Sequence, residues 1–174
     1  MSTSGIPNTF NNLSSFSFKF TLARAPNISW NIQSCNLPSI SVPFIDIPTP
    51  FVNIPSVGGK IEYGYLKISF LVQENLSDYM EIHDWLSGIG RSTNFQQFKT
   101  LSDNKKLNPG SKDLLTSDIT LTILKNTLLP NITINFYDAF PTEISDLNFN
   151  TTDSSTQYIE ASTSFRYLRY DIQK

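Results

Sequence analysis

The chain has 174 residues, of which 39% are hydrophobic and 16% are charged, and its formal net charge is -2. This length and hydrophobic content predict one compact domain with its own core. The charged fraction lies below the roughly 25% usual for soluble domains, so few charges would lose their hydration if copies of the chain packed together. A nearly balanced charge also argues against the basic surface that nucleic-acid binding requires.

The N-terminal residues 1–14 are rich in Ser, Thr and Asn and are predicted to form a flexible segment before a single domain of residues 15–174. No basic region followed by an apolar run occurs there, which predicts that the chain has no secretory signal. No stretch approaches the ~20 apolar residues that span a membrane, so no stable membrane insertion is expected.

The first half of the chain predicts extended structure. In residues 16–22 apolar and polar side chains alternate, which indicates a half-buried strand, and a second extended piece is expected around residues 28–35. An arm over residues 40–55 is rich in proline, which removes ladder donors and excludes the arm from a central sheet. Because the arm is also strongly apolar, we expect it to fold over its own domain or to reach a neighbouring subunit.

In the middle of the chain the spacing of the apolar residues changes. After a turn at Gly58-Gly59 and a predicted strand over residues 60–72, apolar residues recur at three- and four-residue spacing. This spacing predicts the one helix of the chain, over residues 76–88. Residues 94–112 are polar and are predicted to be a loop, in which lysines and nearby aspartates offset one another.

Three further strands are predicted at residues 118–124, 131–137 and 157–172, and Pro141 is expected to end the strand before it. The last of these is about three times the common strand length of ~5–6 residues. Near its end both faces are apolar or aromatic. Since one small domain covers only one face of such a strand, a partner subunit is expected to cover the other.

No motif in the sequence indicates catalysis, cofactor binding or metal binding. His83 is the only histidine and Cys35 the only cysteine, so no disulfide within the chain and no cysteine-cluster metal site is possible. His83 is expected to face solvent on the helix, and Cys35 to be a small half-buried residue. No phosphate-binding glycine pattern occurs. We therefore predict no catalytic, cofactor-binding or metal-binding residues and no cofactor.

Several short motifs follow one another in the chain: CNLP at 35–38, LKISFLVQE at 66–74, DAFPTEIS at 138–145 and QYIEA at 157–161. In this order, and with the helix between them, they resemble the tail tube proteins of contractile-tailed bacteriophages, whose relatives include the inner tubes of bacterial contractile injection machines. The resemblance implies a mainly β fold. This is a small antiparallel barrel or sandwich with one α-helix, which joins its neighbours into a continuous ring barrel on oligomerisation.

The resemblance also implies a passive, non-enzymatic function in the virion. Homohexameric rings would stack into the tail tube, which conducts DNA after sheath contraction without binding it specifically. Its partners would be the sheath protein, the baseplate and the tail terminator proteins, and assembly would take place in the host cytoplasm.

A subunit interface is expected where apolar side chains exceed what a lone domain can hide. The expected interface residues are Phe44, Ile45, Ile47 and Phe51 in the arm, Phe140 and Pro141 at the predicted turn, and Phe165, Tyr167, Leu168 and Tyr170 in the final strand.

Other functions stay open at this point. Within the same assembly, the chain could be a baseplate-proximal tube initiator or adaptor ring. The inner tube of a bacterial contractile injection or type VI secretion system is a further alternative. From a different class, a monomeric carbohydrate- or protein-binding β-sandwich would predict a stable monomer, and an enzyme would require a pocket of titratable side chains.

Overall fold

A computed structural model of the chain describes residues 17–90, 115–151 and 157–174. The predicted N-terminal segment 1–14 and the predicted loop 94–112 lie outside the described residues. In the part that is described, no helix is both long enough and apolar enough to cross a membrane.

The described residues form a mainly β structure with two helices. In chain order the elements are β1 (Phe18–Leu22), α1 (Ile28–Asn31), β2 (Ile32–Cys35), β3 (Ile40–Ser41), β4 (Phe44–Pro48), β5 (Asn53–Val57), β6 (Glu62–Tyr63), β7 (Leu66–Leu71), α2 (Ser77–Gly90), β8 (Ser117–Leu124), β9 (Pro130–Ile144), β10 (Glu160–Arg166) and β11 (Arg169–Gln173).

Seven strands form one antiparallel sheet in the order β1-β8-β9-β10-β7-β2, with β11 paired to β9 off this path. The long strand β9 joins its two halves: residues 130–139 pair with β8, residues 133–137 also pair with β11, and residues 140–144 pair with β10. Strands β1 and β2 end the order and do not pair with each other in the described residues. The single chain is therefore mainly β and antiparallel, as predicted, but its sheet is not a closed barrel.

Pro141 does not end a strand, which corrects the prediction. Strand β9 continues through it to Ile144, and Pro141 lies opposite Phe165 of β10. The register shifts between Ser164 and Phe165, and β8 pairs with β9 only as far as Ala139. A proline without an N–H is tolerated at such an irregular, one-sided position, because no ladder bond is lost.

The predicted long final strand is present as two collinear pieces. Strand β10 pairs with the second half of β9 and β11 with its first half, both antiparallel. They are interrupted at Tyr167 and Leu168, where the N–H of Leu168 still donates to the carbonyl oxygen of Tyr137 at 2.9 Å. Strands β10 and β11 therefore follow the same partner strand, β9, and the pairing is interrupted only locally between them.

The first half of the chain contains a ribbon of paired strands. Strands β2, β3 and β4 pair in turn with β7, β6 and β5, so the ribbon starts in the main sheet and ends as a hairpin outside it. The predicted strand over residues 60–72 is accordingly divided into β6 and β7. The extended piece predicted around residues 28–35 is partly wrong, since Ile28–Asn31 is the helical turn α1 and only Ile32–Cys35 is a strand.

The core lies between the sheet and α2. Strand residues Phe70 and Phe136 and helix residues Ile82 and Trp85 are almost completely buried. The indole N–H of Trp85 donates to the carbonyl oxygen of Leu115 at 2.8 Å, so its one polar group is satisfied. Burying each side chain of this size contributes roughly 1.5–3 kcal/mol. The predicted helix is confirmed and runs two residues past its expected end.

Candidate self-assembly surface

The apolar hairpin, β4 and β5 with their turn (residues 44–57), is the most exposed apolar part of the described structure. Its strands pair only with each other. Phe51 at the turn is 97% exposed and Val57 at the base is 93% exposed. An isolated two-stranded hairpin is marginally stable in water, and nothing in the described residues covers these side chains. The arm therefore does not fold over its own domain.

The tip of the hairpin is held by a hydroxyl-capped turn. The N–H of Thr49 donates to the carbonyl oxygen of Val52 at 3.1 Å, and the N–H of Val52 donates to the hydroxyl of Thr49 at 3.2 Å. The same hydroxyl also contacts the carbonyl oxygen of Val52. Side-chain hydrogen bonds of this kind organise a turn locally. They therefore fix the backbone conformation of the turn that carries Phe51.

Two glycines shape the base of the hairpin. A Cβ on Gly58 would lie 2.5 Å from Cδ1 of Ile45, which is too close for a real contact. Gly59 has a φ of +87°, a conformation that side chains rarely adopt, and a Cβ there would lie 2.6 Å from Cγ of Pro43. The ribbon can bend into the hairpin here because both residues lack a side chain.

The expected interface residues of the closing strand fall into two groups. Phe165 is completely buried and Tyr167 is only 9% exposed, so both belong to the core of the chain itself. Their side chains therefore do not lie on the exposed surface at which they were expected, although Tyr167 lines a cavity beside Arg166. Leu168 is exposed and Tyr170 is half-buried. One face of the strand is therefore covered within the chain and the other is largely open.

An aromatic cluster explains why Tyr167 and Tyr170 turn inward. The ring of Phe136 lies 5.0 Å from that of Tyr167 and 5.4 Å from that of Tyr170, and Tyr63 contacts both tyrosines. Such tilted ring pairs add about 0.5–1.5 kcal/mol each beyond the area they bury. Burial raises the pKa of Tyr167 to about 12, so its hydroxyl stays neutral.

Phe140 and Pro141 lie together on β9 but do not share a face. Phe140 is exposed, whereas Pro141 is buried. On the side away from β10, residues 140–144 have no paired strand, because β8 begins beside Ala139. This stretch and the outer side of β11 are open edges of the sheet among the described residues. Open edges can pair with a further chain.

The exposed face of β2, β7 and β10 carries a row of serines. Ser34 and Ser69 join their hydroxyl oxygens at 2.5 Å, and Ser69 lies opposite Ser162 on the next strand. The N–H of Ser162 donates to the hydroxyl of Ser145 at 2.9 Å, just beyond the end of β9. The row therefore presents small neutral hydroxyl groups across the width of this half of the sheet.

Two carboxylates of α2 bind the side-chain amides of Asn31, the last residue of α1, and of Asn27, the residue before it begins. The amide of Asn31 donates to buried Asp78 at 2.6 Å, and that of Asn27 donates to Glu81 at 2.8 Å. Burial, with a smaller contribution from the charge of Asp78, raises the pKa of Glu81 above its ordinary value. These bonds fix α1 against the start of α2, where acidic groups also favour the helix dipole.

The groups considered for chemistry are isolated. His83 is exposed, and the one side chain among the described residues with which it shares a hydrogen bond is Asp84, at 3.2 Å. Burial raises the pKa of the Cys35 thiol to about 12, which keeps it protonated and unreactive. Within residues 17–90, 115–151 and 157–174, no group of three or more His, Cys, Asp or Glu side chains is placed to hold a metal ion.

Sequence reasoning missed several exposed groups. Val57 lies beyond the predicted arm of residues 40–55, and Arg166 was not among the expected interface residues. In the structure Arg166 lies beside Tyr63 and Tyr65 of the ribbon. Trp30, which is 86% exposed on α1, was likewise not among the expected interface residues. Periodicity assigns such residues to a face but does not show which face stays uncovered.

Solved structures with this fold come from contractile injection systems. A chain of the sheath–tube complex of the extracellular contractile injection system PVC, in its extended state, has a TM-score of 0.62 at 15% identity, covering 94% of this chain and 93% of that one. A chain of the tube-terminating cap of the anti-feeding prophage gives 0.64 at 13% identity, covering 98% and 97%. Hcp1 from Flavobacterium johnsoniae gives 0.51 at 11% identity, covering 90% and 94%. This chain therefore shares its fold with components of contractile injection systems.

The sequence signature of the family described as phage tail tube protein matches residues 4–173, and the chain belongs to that family. The tail tube terminator protein of Enterobacteria phage T4 is 26% identical over 148 residues, which cover 83% of this chain and 77% of that protein. The chain is thus a tail tube-like or terminator-like structural component of a phage tail or contractile injection system.

Proposed function

We propose that this chain is a non-enzymatic ring-forming protein of a contractile tail tube, in which copies assemble as homohexamers. The observation that carries the proposal is the apolar hairpin, whose side chains remain in water in the single chain. Burying an exposed phenylalanine such as Phe51 contributes roughly 1.5–3 kcal/mol, and the hairpin holds several side chains of this kind. A neighbouring copy in the same ring or in an adjacent ring would supply the cover, and the open edges of β9 and β11 would extend the sheet between copies.

The row of serines supports a conduit. A wall that conducts DNA must not retain it, because phosphate contacts repeated along a tube add to a large attraction. The serine hydroxyls on the exposed face of β2, β7 and β10 are neutral, and the exposed Lys67 and Glu160 of the same face carry opposite charges, so this face has little net charge with which to hold phosphates. We infer that this face lines the lumen and that DNA passes it without specific binding.

Ring formation is tested with the purified full chain over a range of concentrations, by light scattering and negative-stain microscopy. We expect rings or short tubes. The double variant Phe44→Ser, Phe51→Ser should raise the concentration needed for assembly at least tenfold, whereas Met80→Gln, at an exposed position of α2, should leave it unchanged. A wild-type chain that stays monomeric at high concentration would overturn the proposal.

A second position in the tube is favoured by one observation, the T4 relative that bears the name tail tube terminator protein. In that role the chain would form a single ring at the end of the tube, in contact with tube and sheath proteins, in place of the repeated rings. A baseplate-proximal initiator ring would likewise be present once. Quantitative mass spectrometry of purified particles separates the positions: copies for one ring indicate a terminal ring, and copies for many rings indicate the repeated tube subunit.

A further inference from the structure

A cavity lies where the ribbon parts from the closing strand. Strand β7 pairs with β10 as far as Leu66 opposite Phe165; beyond that point β6 pairs with β3, and β11 pairs with β9. The ribbon strands β3 and β6 therefore diverge here from the closing strand β11, and the space between them is a fork. A cavity of about 470 Å³ opens in it, lined by residues 61–64 and 166–168. This volume is enough for two or three side chains.

Arg166 presents its guanidinium group at this fork. Its Nη1 donates to the carbonyl oxygen of Tyr63 at 3.2 Å, and the group lies 4.8 Å from the centre of the Tyr65 ring. No carboxylate of the described residues forms a salt bridge with it, and this includes Glu62, which lines the same cavity. The carbonyl and the ring hold the guanidinium in place, while its other N–H groups are available to a carboxylate.

The surroundings of Arg166 have the composition of a docking site. Tyr167 also lines the cavity, and its buried hydroxyl has no hydrogen-bond partner. A buried hydroxyl of this kind costs about 1–3 kcal/mol until an acceptor or donor reaches it. Ile61, Tyr65 and Leu168 are exposed apolar side chains around the fork. Arginine and aromatic groups beside apolar surface are typical of the residues that carry binding energy at interfaces.

The apolar hairpin offers the matching charge. Asp46 is the only charged residue among residues 44–57. It is exposed, and no described cation lies within salt-bridge distance of it. It stands five residues beyond Ser41, where the ribbon still lies close to the fork, which is roughly 16 Å along an extended strand. Asp46 and Arg166 form no salt bridge with each other within the described residues of one chain, which leaves both groups available to pair with a second copy.

We propose that the apolar hairpin of one copy docks in the fork of an adjacent copy, where its Asp46 carboxylate pairs with the Arg166 guanidinium. The hairpin side chains cover Ile61, Tyr65 and Leu168, and a polar group of the hairpin reaches the hydroxyl of Tyr167. This inference rests on the proposed ring-forming function and adds which two surfaces meet. A single charge pair in an apolar contact sets the register of the hairpin.

A charge-exchange series tests the pair in the full-length chain. Asp46→Arg and Arg166→Asp should each raise the concentration for half-assembly at least tenfold, and the double variant should return it to within about threefold of wild type, because close charge pairs at interfaces show strong coupling. Arg169→Asp is the matched control. Arg169 lies on the same strand path but is 3.8 Å from Asp171 of its own chain, so Arg169→Asp should not rescue Asp46→Arg.

Disulfide cross-linking tests the same contact without depending on the yield of assembled particles. In a Cys35→Ser background, a chain with Asp46→Cys is mixed with a chain with Arg166→Cys under mild oxidation, and a disulfide-linked pair is expected only in the mixture. If wild type assembles while the double exchange shows no rescue and the mixture forms no linked pair, the fork is not the docking site, although ring formation stands. If wild type does not assemble at all, the proposed function fails, and this inference fails with it.

Discussion

At the scale of single residues, exposure separates side chains that serve the fold from those that are free for assembly. Phe165 and Phe51 are both phenylalanines in strongly apolar segments, yet the first is fully buried and the second is almost fully exposed. Truncating a buried phenylalanine typically costs about 3–5 kcal/mol of stability. Truncating an exposed one costs the single chain little, so its apolar surface is available to a partner.

Glu81 is the residue at which pH should affect stability. Its pKa is raised in the folded chain, mainly by burial, so the ionised form lowers stability at neutral pH. This loss is recovered as the pH falls through the raised pKa toward the ordinary value of 4.5. We expect Glu81→Gln, which keeps an acceptor for Asn27, to be more stable than wild type in urea unfolding at pH 7.

The advantage of Glu81→Gln should shrink as the pH approaches 4, where Glu81 is protonated in both the folded and the unfolded chain. Ser87→Ala, on the same helix, serves as a control whose effect should not change with pH. A wild type that is the more stable protein at pH 7 would show that the charge of Glu81 is favourable in the folded chain.

At the scale of elements, the ribbon divides one continuous pair of strands into a part that belongs to the sheet and a part that leaves it. Pairing through β2 and β7 anchors the ribbon in the core, while β4 and β5 extend beyond it. The ribbon leaves the sheet at Gly58, Gly59 and Pro43, where side-chain atoms lie close to the glycine backbone. A projecting hairpin can thus be altered without disturbing the fold that carries it.

Gly59→Ala should weaken assembly without unfolding the domain. A side chain at a φ of +87° costs roughly 1–2 kcal/mol, and the strain falls on the base of the hairpin, which is already marginal on its own. We expect faster hydrogen exchange at the amides of β4 and β5 and a higher concentration for assembly, with the melting temperature of the core nearly unchanged. Gly90→Ala is the control, since a Cβ there meets no heavy atom of the described residues within 4 Å.

If Gly59→Ala lowered the melting temperature by as much as a core substitution does, the hairpin would have to be an integral part of the domain. If it changed neither exchange nor assembly, the positive φ would not be needed for the hairpin to form.

At the scale of the whole molecule, the described residues form an open sheet with an apolar projection and a polar sheet face that is rich in serine. Open edges and uncovered apolar side chains favour association, whereas a face of serines favours water. If the open edges and the apolar hairpin lie at contacts between copies, both are covered. If the serine face lies toward a lumen, it stays in contact with water. A freely diffusing monomer would leave the edges and the hairpin exposed.

Ser162→Lys tests the lumen assignment in assembled particles. We expect rings to form as in wild type, because Ser162 lies on the exposed face of β10, and to bind DNA with an affinity that falls steeply with salt, because each ring then carries a circle of added positive charge. Lys125→Ser, outside this row, is a matched control that should not create binding. Assembly that fails in Ser162→Lys while the purified monomer remains folded would place this face at a subunit contact.

The sequence by itself determined the class of the fold and several of its elements. Alternation and three- to four-residue spacing predicted β1, β7, β8 and α2, because these patterns follow directly from the geometry of strands and helices. The apolar, proline-spaced arm was identified as unsuited to a central sheet for the same local reason. Motifs in chain order also indicated the tail tube family, to which the chain belongs.

The tertiary structure alone decided what local patterns do not contain. Pro141 could remain within β9 only because a bulge and an open edge meet there, and Phe165 and Tyr167 turned inward because an aromatic cluster and the helix cover them. The fork beside Arg166 arises from strands far apart in the chain. Which side chains stay uncovered depends on all the surfaces that pack together, and a pattern along one strand reports only that strand.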